Sequence, residues 1–534
     1  MRSFPFKHGL MHMTAVSLLV GSLVLVACGY VPVTSSQGEA PVYAEVEAKE
    51  FVNEQVLPEN PLFIPPLLEP RIENGEKVFD LVIQEGETEF FPGKRTKTLG
   101  FNGNYLGPTL RVRIGDNVRL NVTNQLREST TTHWHGMHLP AAMDGGPHQM
   151  IQPGETWQPH WTIDNEAATL WYHPHLMGKT GEQVYRGLAG FFILDDKKSD
   201  ALDLPKEYGV DDIPVVVQDR EFDGDVQLVY RHPERALTAG MLGDTILVNG
   251  TYAPYLEVPA KLIRLRLLNG SNARRYNFGF SDNRAFYQIA GDGGLLEAPV
   301  ERTRLMLAPA ERAEILVDLS AKDTPVTLMS FPFMDSENAI QNSVQESLVG
   351  KTDEGQQFRI LELRPQPGDF PLQEIPAALN SIERLDGASA TKTRRFKLEA
   401  FTINSKRMDH TRVDEIVRMG DTEIWELSND SPIYYPFHIH GVQFLILDRN
   451  GVEPPLYEQG WKDTVMVLPG ETVRVILQFK DYADPHLPYM FHCHILEHED
   501  MGMMGQFVVV EDFADEVQIQ SPLVGPMHEQ SQIH

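Results

Sequence analysis

The chain has 534 residues, 42% hydrophobic and 23% charged, with a formal net charge of −29. That composition is globular and excludes a disordered or collagen-like chain; the length suits three or four domains at ~150 residues each. The acidic balance argues against nucleic acid as a partner, because phosphate binding needs a basic face.

The N-terminus carries Arg2 and Lys7, then an apolar run from Ala15 to Ala27. The run is shorter than the ~20 residues of a membrane-spanning helix, so residues 1–27 read as a secretion signal. It ends Leu25-Val26-Ala27-Cys28, which resembles the bacterial lipobox. Cys28 is therefore expected to be the lipidated first residue of an exported cell-envelope lipoprotein, on the periplasmic or extracellular face of a membrane. Residues 28–70 are expected to tether that anchor to the folded body. Cys493 is the other cysteine. An exported chain with one remaining thiol has no internal disulfide, and metal ligation is one reason for such a thiol to stay reduced.

The body, from residue 71, repeats itself. In the first copy, predicted strands Leu110–Ile114 and Val118–Val122 alternate with period two. Gly115-Asp116, Asn124 and His133-Trp134-His135 follow one another, then Pro153-Gly154-Glu155-Thr156 and His173-Pro174-His175. The third copy has the same order: Gly420-Asp421, Asn429, His438-Ile439-His440, Pro469-Gly470-Glu471-Thr472 and His492-Cys493-His494. A fainter middle copy has an alternating strand at Ile263–Leu267, then Asn269 and Pro309-Ala310-Glu311-Arg312, but no histidine pair. Short strands broken by Gly, Pro and Asn suggest β-sandwiches. The expected divisions are 71–200, 201–365 and 392–512, with a Pro-rich connection at 366–391 and a tail at 513–534.

Alternate residues of a strand share a face, so each His-x-His presents two imidazoles together. One pair is weak support for a metal; four, two from each outer repeat, are strong. Such a set suits late first-row metals, of which copper binds tightest. Within the last pair, Cys493 faces the opposite side from its neighbours. His498 and Met503 follow it, and Cys, His and a weak Met are the ligands of an electron-transfer copper site.

With these motifs the chain resembles three-domain bacterial multicopper oxidases of the laccase and cuprous-oxidase type, from about Phe79 to Val510. The resemblance implies an all-β fold of three cupredoxin-like Greek-key sandwich domains and four coppers. By motif, His133 and His438 would hold the type 2 copper. His135, His173 and His494 would hold one type 3 copper, and His175, His440 and His492 the other. Cys493, His498 and Met503 would serve the type 1 copper, with Cys493 carrying electrons. Asp144 and Glu499 match acids that supply protons in relatives. The implied reaction is oxidation of phenols, aromatic amines or metal ions with reduction of O2 to water, by a monomer.

One position departs from the family. Its pattern His-Pro-x-His-x-His is here Tyr435-Pro436-Phe437-His438-Ile439-His440, so a phenol replaces the first type 1 imidazole. The site could bind copper through the other three ligands, bind it through Tyr435, or bind it poorly. A copper-free envelope scaffold and a copper-storage protein are therefore competing readings; a two-domain nitrite reductase is disfavoured by the three repeats. His138 and His148 read as surface or accompanying residues, and His410 and His486 as exposed loop histidines. Trp134 and Trp171 read as packing. Residues 331–395 contain only Met334, so no methionine-rich insert is expected there.

Overall fold

The computed structural model describes residues 59–230, 239–320, 324–333 and 356–519. Cys28, the signal segment and Met334 lie outside them. Strands dominate, in six sheets. Each repeat encloses a core of its own: Phe79, Leu120 and Trp134 mark the first, Ile263, Phe278 and Ile315 the second, and Trp425, Phe437 and Phe491 the third. The fold is thus the expected series of cupredoxin-like sandwiches. In the first repeat, strand Asn117–Asn124 alternates as predicted, with Val118, Leu120 and Val122 fully buried.

One expectation needs correction, and one strand differs from its neighbours. The segment read as a tether up to residue 70 is docked from residue 60 onward. Asn60–Pro61 pairs in parallel with Pro254–Tyr255, Leu62 enters the second core, and Leu67 bridges Thr109. Extended, Pro-containing backbone suits such an edge. The middle strand Leu262–Asn269 is buried on both faces rather than one. Its Arg264 and Arg266 face the first repeat instead of solvent. Arg266 pairs with Asp212 at 2.6 Å and with Glu314 at 2.8 Å, and it donates to Thr169 Oγ1 at 2.8 Å. The carboxylates make this burial of charge tolerable.

The repeat is also visible in hydrogen bonds. Asn124, Asn269 and Asn429 each donate Nδ2 to two backbone carbonyls: those of Glu128 and Ile151, of Arg274 and Leu307, and of Ile433 and Val467. The Pro-x-Glu turn then returns to that Asn, since the backbone N–H groups of Gly154, Ala310 and Gly470 donate to the carbonyls of Asn124, Asn269 and Asn429. The turn needs positive φ at its second position; Gly154 has 83°, Gly470 has 72° and Ala310 has 71°. Each turn glutamate accepts the N–H three residues before it. Asn429→Ala would strand two buried carbonyls, an expected loss of about 3 kcal/mol. A lower urea midpoint at unchanged slope would register it, and an unchanged midpoint would refute it.

Candidate metal centre

Strand His133–His135 pairs with strand Ala168–His173, placing His133 opposite His173. Strand Tyr435–Ile439 pairs likewise with strand Asp484–Cys493, placing His438 opposite His492 and Phe437 opposite Cys493. Only the first His-x-His lies wholly on a strand; His175, His440 and His494 sit just past strand ends. The first and third repeats bring these edges together. The His133 ring stacks on His440 at 3.8 Å, and the His135 ring on His438 at 3.7 Å. All eight imidazoles are at most 1% exposed.

Hydrogen bonds to oxygen fix which nitrogen is bare in six of the eight rings, those of His175 and His494 excepted. His133 Nδ1 donates to the Asp144 carbonyl at 2.9 Å and His438 Nδ1 to the Asp463 carbonyl at 2.8 Å. Their Nε2 atoms have no hydrogen-bond partner among the described residues. The carboxylates of the same two aspartates cross over. Asp144 Oδ2 takes His440 Nδ1 at 2.8 Å, and Asp463 Oδ1 takes His135 Nε2 at 3.0 Å. His492 and His173 donate Nδ1 to the carbonyls of Cys493 and Pro174. The bare nitrogens then face one another. His440 Nε2 and His175 Nε2 each lie 3.1 Å from His492 Nε2, and His135 Nδ1 lies 3.3 Å from His173 Nε2. Opposed lone pairs at this range repel unless a cation lies between them, so the donor set fits a metal cluster. Burial lowers the pKa of every ring, reinforced by neighbouring imidazoles in all but His492, that of His173 to about 3 and of His492 to about 4. The rings therefore stay in the neutral form that ligates metal.

Groups of ligating atoms close enough to share an ion both follow and cross the sets assigned by motif; His133, His135 and His173 form one that crosses them. Ligating atoms of His175, His440 and His492 lie within 4.8 Å of one another, as do those of His133, His438 and His440. His494 rings contact both His135 and His173. Glu499 is buried, with its oxygens 3.4 Å from Nδ1 of His175 and of His492. Burial pushes the carboxyls of Asp144 and Glu499 well above the usual range.

On the other face, Cys493, Met503 and Tyr435 are buried together in the third core. Cys493 Sγ lies 3.6 Å from His498 Nδ1 and accepts the Ile495 N–H at 3.4 Å, a pair close enough to share one ion. The Tyr435 ring lies 5.8 Å from the His498 ring. Burial pushes its pKa up to about 12, with Cys493 adding to the rise and Ser431 opposing it.

Two residues in this region are not among the candidates read from sequence. Asp463 touches His135 and His438 as described, and Arg312 grips it with Nη1 at 2.8 Å and Nη2 at 2.5 Å. Arg312 brings a side chain of the middle repeat to the centre. The signal for it was present: the outer repeats have Thr156 and Thr472 at this turn position. Trp134 packs in the first core, as expected, and Trp171 stacks on His173 at 4.1 Å. His410 and His486 are half-buried rather than exposed, and His148 is buried at 3% exposure.

Cupredoxin-like sandwiches that pool histidine pairs from their outer repeats, with a Cys–His pair on the reverse face, define a class of copper proteins. Comparison with known proteins makes the assignment. Two family models, both described as multicopper oxidase, match residues 82–199 and 378–512. The chain is 38% identical to the multicopper oxidase mco of Staphylococcus aureus, over 85% of this chain and 93% of that protein. It is 39% identical to the cell division protein FtsP of Escherichia coli, over 84% of this chain and 93% of that one. Among solved structures, the laccase-like multicopper oxidase CueO from an Ochrobactrum species aligns with a TM-score of 0.76 and 36% identity, covering 84% of this chain and 100% of that one. The chain belongs to the multicopper oxidase family.

Proposed function

We propose that the protein is a copper-dependent oxidase of the cell envelope. Four equivalents of a one-electron donor (a phenol, an aromatic amine or a low-valent metal ion) are oxidised, and O2 with four protons becomes two waters. The observation that carries this reading is the buried set of eight neutral imidazoles, five of which turn ring nitrogens toward one another at 3.1–3.3 Å. In this reading His133 and His438 hold type 2 copper. His135, His173 and His494 hold one type 3 copper, and His175, His440 and His492 the other. Cys493, His498 and Met503 hold type 1 copper. Copper supplies one-electron redox steps and a binding position for O2.

The chain's own groups do the rest. Cys493 lies between His492 and His494, so its sulfur is joined covalently to ligands of two sites. Asp144 and Glu499 keep their protons above the ordinary carboxyl range, because burial penalises the anion, and so can deliver them inside the cluster. Burial of the imidazoles excludes bulk water. The lipidated Cys28 anchors a monomer at the membrane.

A second reading is a cupredoxin scaffold or copper-holding protein without turnover. It is favoured by Tyr435, which burial keeps a neutral phenol, and by the likeness to a protein named for cell division. Copper stoichiometry, a visible spectrum and oxygen uptake separate the readings. The oxidase reading expects four coppers per chain, a thiolate-to-copper band and oxygen consumption with at least one donor class. Three coppers, no band and no uptake would overturn it for the scaffold reading; tight copper binding with the band but no uptake would favour storage.

A further inference from the structure

A third group of metal-ligating side chains stands outside both the histidine cluster and the Cys493 site, at the seam between the first and third repeats. His138 and Asp164 come from the first repeat and Asp481 from the third. One ligating atom of each lies within 4.8 Å of the other two.

The loops that carry them are tied together. Asn165, 6% exposed, accepts the His138 N–H on Oδ1 at 2.9 Å and donates Nδ2 to the Gly136 carbonyl at 3.1 Å. This holds Asp164 beside His138. His138 in turn crosses the seam, donating Nδ1 to the Gly441 carbonyl at 2.6 Å. A carbonyl can only accept, so Nδ1 carries the proton and Nε2 is left for another partner. Nε2 faces Asp481 Oδ2 at 3.5 Å. That is long for a charge-assisted hydrogen bond, which runs ~2.7–2.9 Å. It matches the span of two ligands in tetrahedral directions, each ~2.1 Å from one ion.

Charge points the same way. Asp481 pairs with His138 alone, and Asp164 has no ion-pair partner among the described residues. Burial raises the pKa of Tyr482, and Asp164 and Asp481 add to the rise; the Tyr482 ring lies 5.0 Å from that of His138. Two carboxylates held this close favour a cation between them. His138 and Asp164 also line a cavity of about 410 Å3 with Gln443. Gln443 Nε2 is buried without a hydrogen-bond partner among the described residues, a donor left for an acceptor held in that cavity.

We propose that His138 Nε2 and the carboxylates of Asp164 and Asp481 bind one divalent first-row cation of the Mn2+ to Zn2+ class, which ties the first repeat to the third beside the histidine cluster. The two carboxylates balance a double charge. The imidazole selects against Mg2+ and Ca2+, which take oxygen ligands. Water fills the remaining positions, and no redox step is involved.

The probe is Mn2+, which stands lowest in the divalent affinity order and so does not displace copper. It is added to the copper-loaded full chain after a chelator has cleared surface ions. Binding is read from the free-ion electron paramagnetic resonance signal, and the ligands from spin-echo modulation by nitrogen. Expected is one saturable site per chain, tighter than the ~10−3 M of weak exposed sites, with modulation from one imidazole. The Asp164→Asn/Asp481→Asn double variant should weaken it at least tenfold; both side chains are exposed, so the fold is not at stake. His138→Gln should remove the nitrogen modulation, and exposed Glu257→Gln is the control. Saturating Mn2+ should raise the unfolding temperature of the parent chain and not of the double variant. No saturable site, unchanged affinity in the double variant, a site without imidazole modulation, or an equal temperature rise in both chains overturns the proposal. None of these readouts needs turnover, so failure of the oxidase reading is distinguishable.

Discussion

Asp463→Asn is expected to lower copper occupancy of the cluster, or oxygen consumption by the loaded protein, by ~10–100-fold, the usual effect of losing the partner that orients a metal-ligating histidine. The geometry says why. His135 is the ring whose Nδ1, not Nε2, faces His173, and it is turned that way because Nε2–H points to Asp463 Oδ1 at 3.0 Å. A carboxylate can only accept there. An asparagine amide can present its NH2 instead, and must then turn an N–H toward Arg312 or toward His135. Burial pushes the Asp463 carboxyl up while the Arg312 guanidinium opposes that push, and the bidentate contact favours the anion. Arg312→Met should cost more in stability than Asp463→Asn, about 3–5 kcal/mol, because it leaves a buried carboxylate unpaired. The two variants therefore separate: copper content falls in the first with the fold intact, and the unfolding midpoint falls in the second. If Asp463→Asn retains full copper and full turnover, the aspartate is a structural ion-pair partner only.

That pair also shows where sequence reading stops. The histidines were legible because their chemistry is local: each pair is three residues long, on a strand or at its end. The turn glutamates and Asn124, Asn269 and Asn429 were legible as repeats because each acts within its own repeat. Arg312 and Asp463 are 151 residues apart, and nothing local to either names the other. Only the departure of Arg312 from the Thr of its sister turns marked it. Arg264 and Arg266 are a related case: their alternation marks a strand, but what covers the face that carries them is the first repeat, whose Thr169 accepts from Arg266. His148 was underread because its burial depends on Gln506, far along the chain.

Tyr435→His is expected to give the copper-loaded protein a stronger thiolate-to-copper band and at least tenfold faster donor oxidation, a barrier change of about 1.4 kcal/mol. The reasoning starts from the phenol. Tyr435 is 1% exposed, and its pKa is pushed up to about 12, first by burial and then by the neighbouring Cys493, against the opposing pull of Ser431. Since the shift is upward, the protonated form is favoured, and across roughly pH 6–9 the residue is a neutral phenol. A neutral phenol is a weak, hard donor, ill matched to a site built on thiolate and imidazole. Tyr435→Phe should then leave the spectrum unchanged, apart from a small stability loss of about 1 kcal/mol from the missing hydrogen bonds. An imidazole at this position has no such restriction: it is softer, titrates lower and stands next to Cys493 and His498 in the same core. The pair of variants decides the matter. If Tyr435→Phe abolishes the band, the phenol is itself a ligand. If Tyr435→His adds nothing to band or rate, electron entry is not limited by this residue, and the third repeat accommodates copper with Cys493, His498 and Met503 alone.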